Sequence, residues 1–147
     1  KNYLKLSILE IIIINMKKTD YPGVFIRVKA ATIDSIVIIL LMVVTTDIFS
    51  SFENVPNYAR MIAFTFIFLL YDPLMVSIFG STIGHRMSKI KVQRDDTGKR
   101  INLIMAILRF LIKAFLGWIS FFTVSTNNDR KAIHDMIAKS IVVYDND

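Results

Sequence analysis

Residues 28–49 read VKAATIDSIVIILLMVVTTDIF, and the reading of this stretch decides the fold. From Ile33 to Val44 it holds a single charge, Asp34. A helix of this length crosses a hydrocarbon core about 30 Å thick. In lipid only a helix or a closed barrel satisfies its own backbone polar groups. Tyr21-Pro22-Gly23 supplies the turn that precedes it. A second apolar segment runs from Met61 to Phe79 and is interrupted by Asp72-Pro73. The proline removes one backbone donor and predicts a kink. The linker from Asp47 to Tyr58 carries Asp47 and Glu53 but no lysine or arginine.

The third apolar stretch, Ile101 to Val124, differs in kind. At about 100° per residue, Asn102, Arg109 and Lys113 fall on one stripe, with Leu103, Ile107, Phe110 and Leu111 opposite. Two arrangements fit. Residues up to Lys113 lie at the interface while Ala114 to Val124 dip in and return, or the whole stretch crosses. A single crossing would carry Arg130, Lys131 and Lys139 to the far side, so the charge pattern favours the first. The expected fold class is an all-α membrane protein. It has two transmembrane helices, a third amphipathic, re-entrant or spanning element, a short basic loop and a C-terminal tail. Lys89 to Arg94 alternates and suits a short strand, Asp96-Thr97-Gly98-Lys99 suits a tight turn, and the tail ends in an apolar patch, Ile141 to Tyr144.

Composition agrees. The 147 residues suit one domain, 54% of them are apolar, and mean hydropathy is +0.51. The absence of cysteine excludes disulfides, thiolate metal sites and cysteine nucleophiles. The net charge of +6 sits beside apolar segments, which points to anionic lipid headgroups and not to nucleic acid. Residues 1–15 (KNYLKLSILEIIIIN) read unlike the rest, and Met16 looks like a natural start. We expect 1–15 to be a non-native or upstream extension and 16–147 to be one membrane domain. The rival reading is a surface helix or a signal core, although Leu4 to Ile14 is too short to span and contains Lys5 and Glu10. Lys17, Lys18, Arg27 and Lys29 flank the first helix, and the Gly80–Arg100 loop carries Arg86, Lys89, Lys91, Arg94, Lys99 and Arg100. Both should face the cytoplasm.

Charges within apolar segments are the candidate site. Arg27 and Asp34 lie two helical turns apart, about 10 Å, on one face. Arg27 can snorkel to the interface, whereas the short Asp34 side chain must be protonated, paired or wet. If the second helix runs back toward the cytoplasm, Asp72 lies at the same depth, roughly 10–12 Å in. The two carboxylates could share a proton or hold a cation. Alternatively Arg109 or Lys113 neutralises one of them, and this ion-paired network is the favoured resting state. An ion-paired Asp34 would make Asp34→Asn costly for folding. Ala31 and Ser35 form a small-xxx-small pair suited to close helix approach. Gly80–Arg86 lacks the Gly-Lys-Ser/Thr ending of a phosphate loop. The adjacent His134 and Asp135 cannot chelate from one helix. Enzyme chemistry, cofactors and bound metal are therefore not expected.

Three blocks together carry a family resemblance: FIRVKAATIDSIVI (25–38), GSTIGHRMSKIKV (80–92) and DRKAIHD (129–135) with Ile137-Ala138 and Val142-Val143 after it. The chain resembles the RDD family of bacterial membrane proteins, named for one arginine and two aspartates. The resemblance implies signature positions at Arg27, Asp34, Gly80, Gly84, Arg86, Arg130, His134 and Asp135. His85 stands where the family usually has lysine. It also implies an inner-membrane location, return of Arg130, His134 and Asp135 to the cytoplasmic face, and transport of an unidentified ligand. A small ion, proton or solute transport component is thus one expectation. A non-catalytic accessory or scaffold subunit docking a larger membrane complex is the other. A chain this small should act with copies of itself or with a partner membrane protein.

Overall fold

The computed structural model describes residues 21–116, 119, 123–124 and 131–145. Two helices are long and apolar enough to cross a membrane: α1 (Val24–Ser50) and α2 (Asn57–Phe79). At 1.5 Å per residue they measure about 40 and 35 Å, so both reach past the hydrocarbon into the interface. Their outer halves present Ile39, Leu40, Val43, Ile48, Ile62 and Phe66 at half exposure or more, a surface suited to lipid. Pro73 lies inside α2 and is fully buried, and the helix continues through it. Gly80, at φ 78°, closes α2 in the left-handed region, and its N–H donates to Val76 O at 2.9 Å. The Arg100 guanidinium donates to the carbonyl of Ile78 at the same helix end.

After α2 the chain folds into a small polar-rimmed cap. A short helix, α3 (Ile83–Met87), starts at Thr82, whose hydroxyl accepts from the His85 backbone N–H. Strand β1 (Ile90–Arg94) follows, then the amphipathic α4 (Leu103–Leu116), the short α5 (Ile133–Ile137) and strand β2 (Ser140–Tyr144). Strands β1 and β2 pair antiparallel, with Val92 opposite Val142 and Ile90 opposite Tyr144. The helical membrane architecture therefore holds with one addition to the all-α expectation, this two-stranded ribbon. The apolar patch at the tail is the partner that the alternating 89–94 segment needs.

The pairing also settles the course of the tail. Because β1 follows α2 and β2 lies beside it, residues 140–144 return to the end of the molecule where α2 exits. A one-way third crossing is incompatible with that. Helix α4 is about 21 Å long and packs on α2, with Phe68 and Phe110 edge to face at 5.9 Å. Lys131 bonds Asp95 at 2.9 Å, and Lys91 bonds Asp145 at 2.7 Å, holding the tail to the β1 region. The core of the cap comprises Ala30, Val76, Ile90, Val92, Ile101, Ala106 and Val142. It lies at one end of the long helices.

Candidate functional site

Inside this cap the buried charges divide into two groups. The first centres on Asp34, 7% exposed. Its Oδ1 accepts from Tyr71 Oη at 2.8 Å and from the Gly84 N–H at 2.7 Å. Its Oδ2 accepts from Thr82 Oγ1 at 2.6 Å. Among the described residues, the basic nitrogen that approaches it is His85 Nδ1, at 3.9 Å from Oδ2. Asp34 is thus satisfied by neutral donors. Such close contact between α1 and α3 requires Gly84. A Cβ there would collide with the Ala30 carbonyl oxygen and lie 2.7 Å from Asp34 Cγ. The small residue that matters on α1 is therefore Ala30, fully buried, while Ser35 is exposed and bonds its own helix at Ala31 O.

The second group is a chain of ion pairs. Asp135, with no exposure, accepts from Arg27 Nη1 at 2.5 Å and from Arg109 Nε at 2.9 Å. Arg109 Nη1 also lies 3.8 Å from Asp72 Oδ1, and Lys113 Nζ donates to Asp72 Oδ2 at 2.9 Å. The order is Arg27, Asp135, Arg109, Asp72, Lys113, and it joins α1, α5, α4 and α2. Arg27 Nε is fixed by Pro22 O at 3.2 Å. Breaking such a buried pair leaves an uncompensated charge, so the chain locks the cap's elements to one another.

Burial pushes the Asp135 carboxyl up, but the Arg109 and Arg27 charges beside it prevail and hold it below the usual carboxylate range. Burial lowers His85 to about 3, helped by the Arg109 charge and against Asp72. Burial also lowers His134 to about 3, against the pull of Asp135 and with the push of Arg109. Both imidazoles are therefore neutral near pH 7. Arg27, His85, Arg109, Lys113 and His134 line a cavity of about 10 Å³, room for roughly one water. Among the described residues, no group of three His, Asp or Glu side chains is placed to hold a metal.

Arg109 and Lys113 thus meet Asp72 and Asp135, and neither meets Asp34 in an ion pair. Asp34 and Asp72 do not form a joined pair; each has its own set of partners. The expected ion-paired network, in which Arg109 or Lys113 neutralises one of the two carboxylates, forms at Asp72 and not at Asp34, and it extends to Asp135, which was expected only at the cytoplasmic face. Arg86 is exposed and Gly80 serves the α2 terminus. Arg130 and residues 1–15 lie outside the described residues. Tyr71 and Thr82 were not expected. Thr82 was legible as a helix cap before a five-residue helix, whereas nothing local marks Tyr71.

Comparison with known proteins agrees with this architecture. The family model described as "RDD family" matches residues 21–139. The chain is 25% identical over 131 residues to the "Uncharacterized protein YckC" of Bacillus subtilis, covering 83% of each. It is 24% identical over 134 residues to the "Uncharacterized membrane protein YteJ" of the same organism, covering 85% of this chain and 82% of that one. No solved structure matches. The match spans α1 through α5 and takes in Arg27, Asp34, Asp72, Gly84, Arg109 and Asp135. This chain is a membrane protein and belongs to the RDD family.

Proposed function

We propose that this protein is a non-enzymatic transport component that moves a proton or small ion past Asp34. One observation carries the reading. Asp34 is the buried membrane carboxylate whose partners, Tyr71, Thr82 and the Gly84 amide, are all neutral. It can gain or lose a proton without breaking an ion pair, whereas Asp72 and Asp135 are each bound to cations. Intramembrane carboxylates placed in this way mark proton and ion routes. A cavity for about one water and two long helices do not make a conduit, so the route lies between copies of the chain or against a partner membrane protein. The charge pattern supports a bacterial inner-membrane location with the N-terminus and the Gly80–Arg100 loop inside. A groove of about 680 Å³ rimmed by Lys91, Lys99 and Arg100 beside Phe79 fits anionic lipid headgroups.

The test is flux from reconstituted proteoliposomes under an imposed ion or pH gradient. Wild type should show flux that Asp34→Asn abolishes while both proteins remain folded. A second reading, an accessory scaffold, draws on the locked ion-pair chain, which organises a rigid inner-face surface. Folded protein with no flux, co-purifying stoichiometrically with a larger complex, would establish it in place of the first.

A further inference from the structure

We propose that Thr82 relays a proton between His85 and Asp34, so that the protonation state of Asp34 sets the tautomer of His85. The proposal deepens the reading of Asp34 as the carboxylate that titrates. It rests on hydrogen-bond arithmetic at one oxygen. A threonine hydroxyl has one proton and two lone pairs. Thr82 Oγ1 has three partners: the His85 backbone N–H at 3.1 Å, Asp34 Oδ2 at 2.6 Å and His85 Nδ1 at 2.5 Å. The backbone N–H occupies one lone pair. An ionised Asp34 has no proton to give, so the hydroxyl proton must point to it. The remaining lone pair can only accept, and His85 is therefore the Nδ1–H tautomer. Its Nε2 then carries a lone pair, makes no hydrogen bond among the described residues, and belongs to a side chain lining the small cationic cavity.

The relay follows from reversing these bonds. A proton taken from water binds His85 Nε2. The Nδ1 proton passes to Thr82 Oγ1 as the Thr82 proton passes to Asp34 Oδ2. The products are a neutral Asp34 that donates to Thr82, a Thr82 that donates to Nδ1, and a neutral Nε2–H imidazole. One proton has entered at the cavity and one has appeared on Asp34. The groups facing this pair are Tyr71 and Asp72 from α2, Arg109 and Lys113 from α4, His134 and Asp135 from α5, and Arg27 from α1. Burial and the Arg109 charge hold His85 at about 3, so the proton does not rest on the imidazole and moves on. Gly84 keeps the carboxylate in line by closing α3 onto α1.

The direct test is long-range proton–nitrogen NMR of the full chain, labelled with nitrogen-15 histidine in detergent. His85→Gln assigns the signals. At neutral pH wild-type His85 should be Nδ1–H. Asp34→Asn mimics the protonated carboxyl, because its amide donates to Thr82, and should convert His85 to Nε2–H. Thr82→Ser should behave as wild type, and Thr82→Val should uncouple the tautomer from position 34. A wild-type Nε2–H imidazole, or one unmoved by Asp34→Asn in folded protein, overturns the relay even if flux is measured. In proteoliposomes Thr82→Ser should keep proton flux, and Thr82→Val should lower it by about tenfold or more. A tautomer that switches in protein without flux sinks the transport reading and leaves the relay standing.

Discussion

Replacing Gly84 by alanine should destabilise this protein far more than the same change at Gly98, although only Gly98 has a backbone that disfavours a side chain. At Gly98, φ is +65° and nothing lies within 4 Å of the position a Cβ would take. Only left-handed strain is added there, about 1 kcal/mol. At Gly84 the φ is ordinary, but the added methyl meets the Ala30 carbonyl oxygen and lies 2.7 Å from Asp34 Cγ. The first of these is helix backbone and cannot step aside. Helix α3 must retreat from α1, which costs about 1–3 kcal/mol as overpacking. The retreat also stretches the Gly84 N–H bond to Asp34, now 2.7 Å, and an unmet buried carboxylate bond adds about 1–3 kcal/mol. The total of about 2–6 kcal/mol corresponds to a fall in Tm of roughly 5–20 °C for a chain of this size. Thermal unfolding in detergent, read by intrinsic fluorescence and by circular dichroism, gives the comparison. If Gly84→Ala melts with Gly98→Ala or with wild type, the α1–α3 contact is not as close as the geometry requires and the account of Asp34 fails with it.

Asp135→Asn should cost about 3–5 kcal/mol, because Arg27 and Arg109 both lose a buried counter-charge, and the unfolding midpoint reports it. Asp34→Asn should cost about 1 kcal/mol or less by the same assay, since an amide can satisfy Thr82 by reversing its hydroxyl; a loss as large as that of Asp135→Asn would return Asp34 to the ion-pair chain. His85 and His134, lowered to about 3, are neutral when folded and take up protons on unfolding. Stability from them is full above about pH 6.5 and is lost as pH falls toward 3, with Asp135 adding in the same direction at the acid end. His134→Gln should flatten that acid limb, and a limb unchanged between pH 6.5 and 4 would show that His134 carries no such proton. Lys99→Gln should lower retention of anionic phospholipid in detergent about fivefold, with phosphatidylcholine unaffected, if the groove beside Phe79 holds headgroups.

Hydropathy alone was enough for α1 and α2, because a membrane span is encoded in one uninterrupted stretch whose length is its own evidence. The sequence put Asn102, Arg109 and Lys113 on one stripe of α4, and the structure buries Arg109 at 3% exposure while Asn102 stays exposed. What lay beyond reach was pairing across the chain. Arg27 and Asp135 stand 108 positions apart, and no local pattern says that they meet. Depth matching put Asp34 beside Asp72 because it counts residues along helices and ignores what each side chain bonds to. Tyr71, Thr82 and the Gly84 amide donate to Asp34, and so supply what a cation would otherwise provide there. The strand at 90–94 was visible by alternation, yet its partner was not, since a strand's neighbour is fixed by the fold and not by its own sequence.

The separation of the two groups bears on what the cap can do. Three cations, Arg27, Arg109 and Lys113, share one buried region with three carboxylates, Asp34, Asp72 and Asp135. With both histidines neutral the region balances only while Asp34 is ionised. The ion pairs use two of the carboxylates directly and fix the geometry of four helices. The third contributes its charge through space and holds its position through hydroxyls and an amide. A protonated Asp34 therefore leaves the shape intact and the cavity net positive. An ion-paired Asp34 would have had to break the structure to do the same. The strong pairs hold the elements of the cap together, and Asp34 is held by neutral donors, the division that the proposed function requires. Asp34→Asn tests it from both sides, since the variant should keep the fold, make the cavity more cationic, and stop any proton that passes through Thr82.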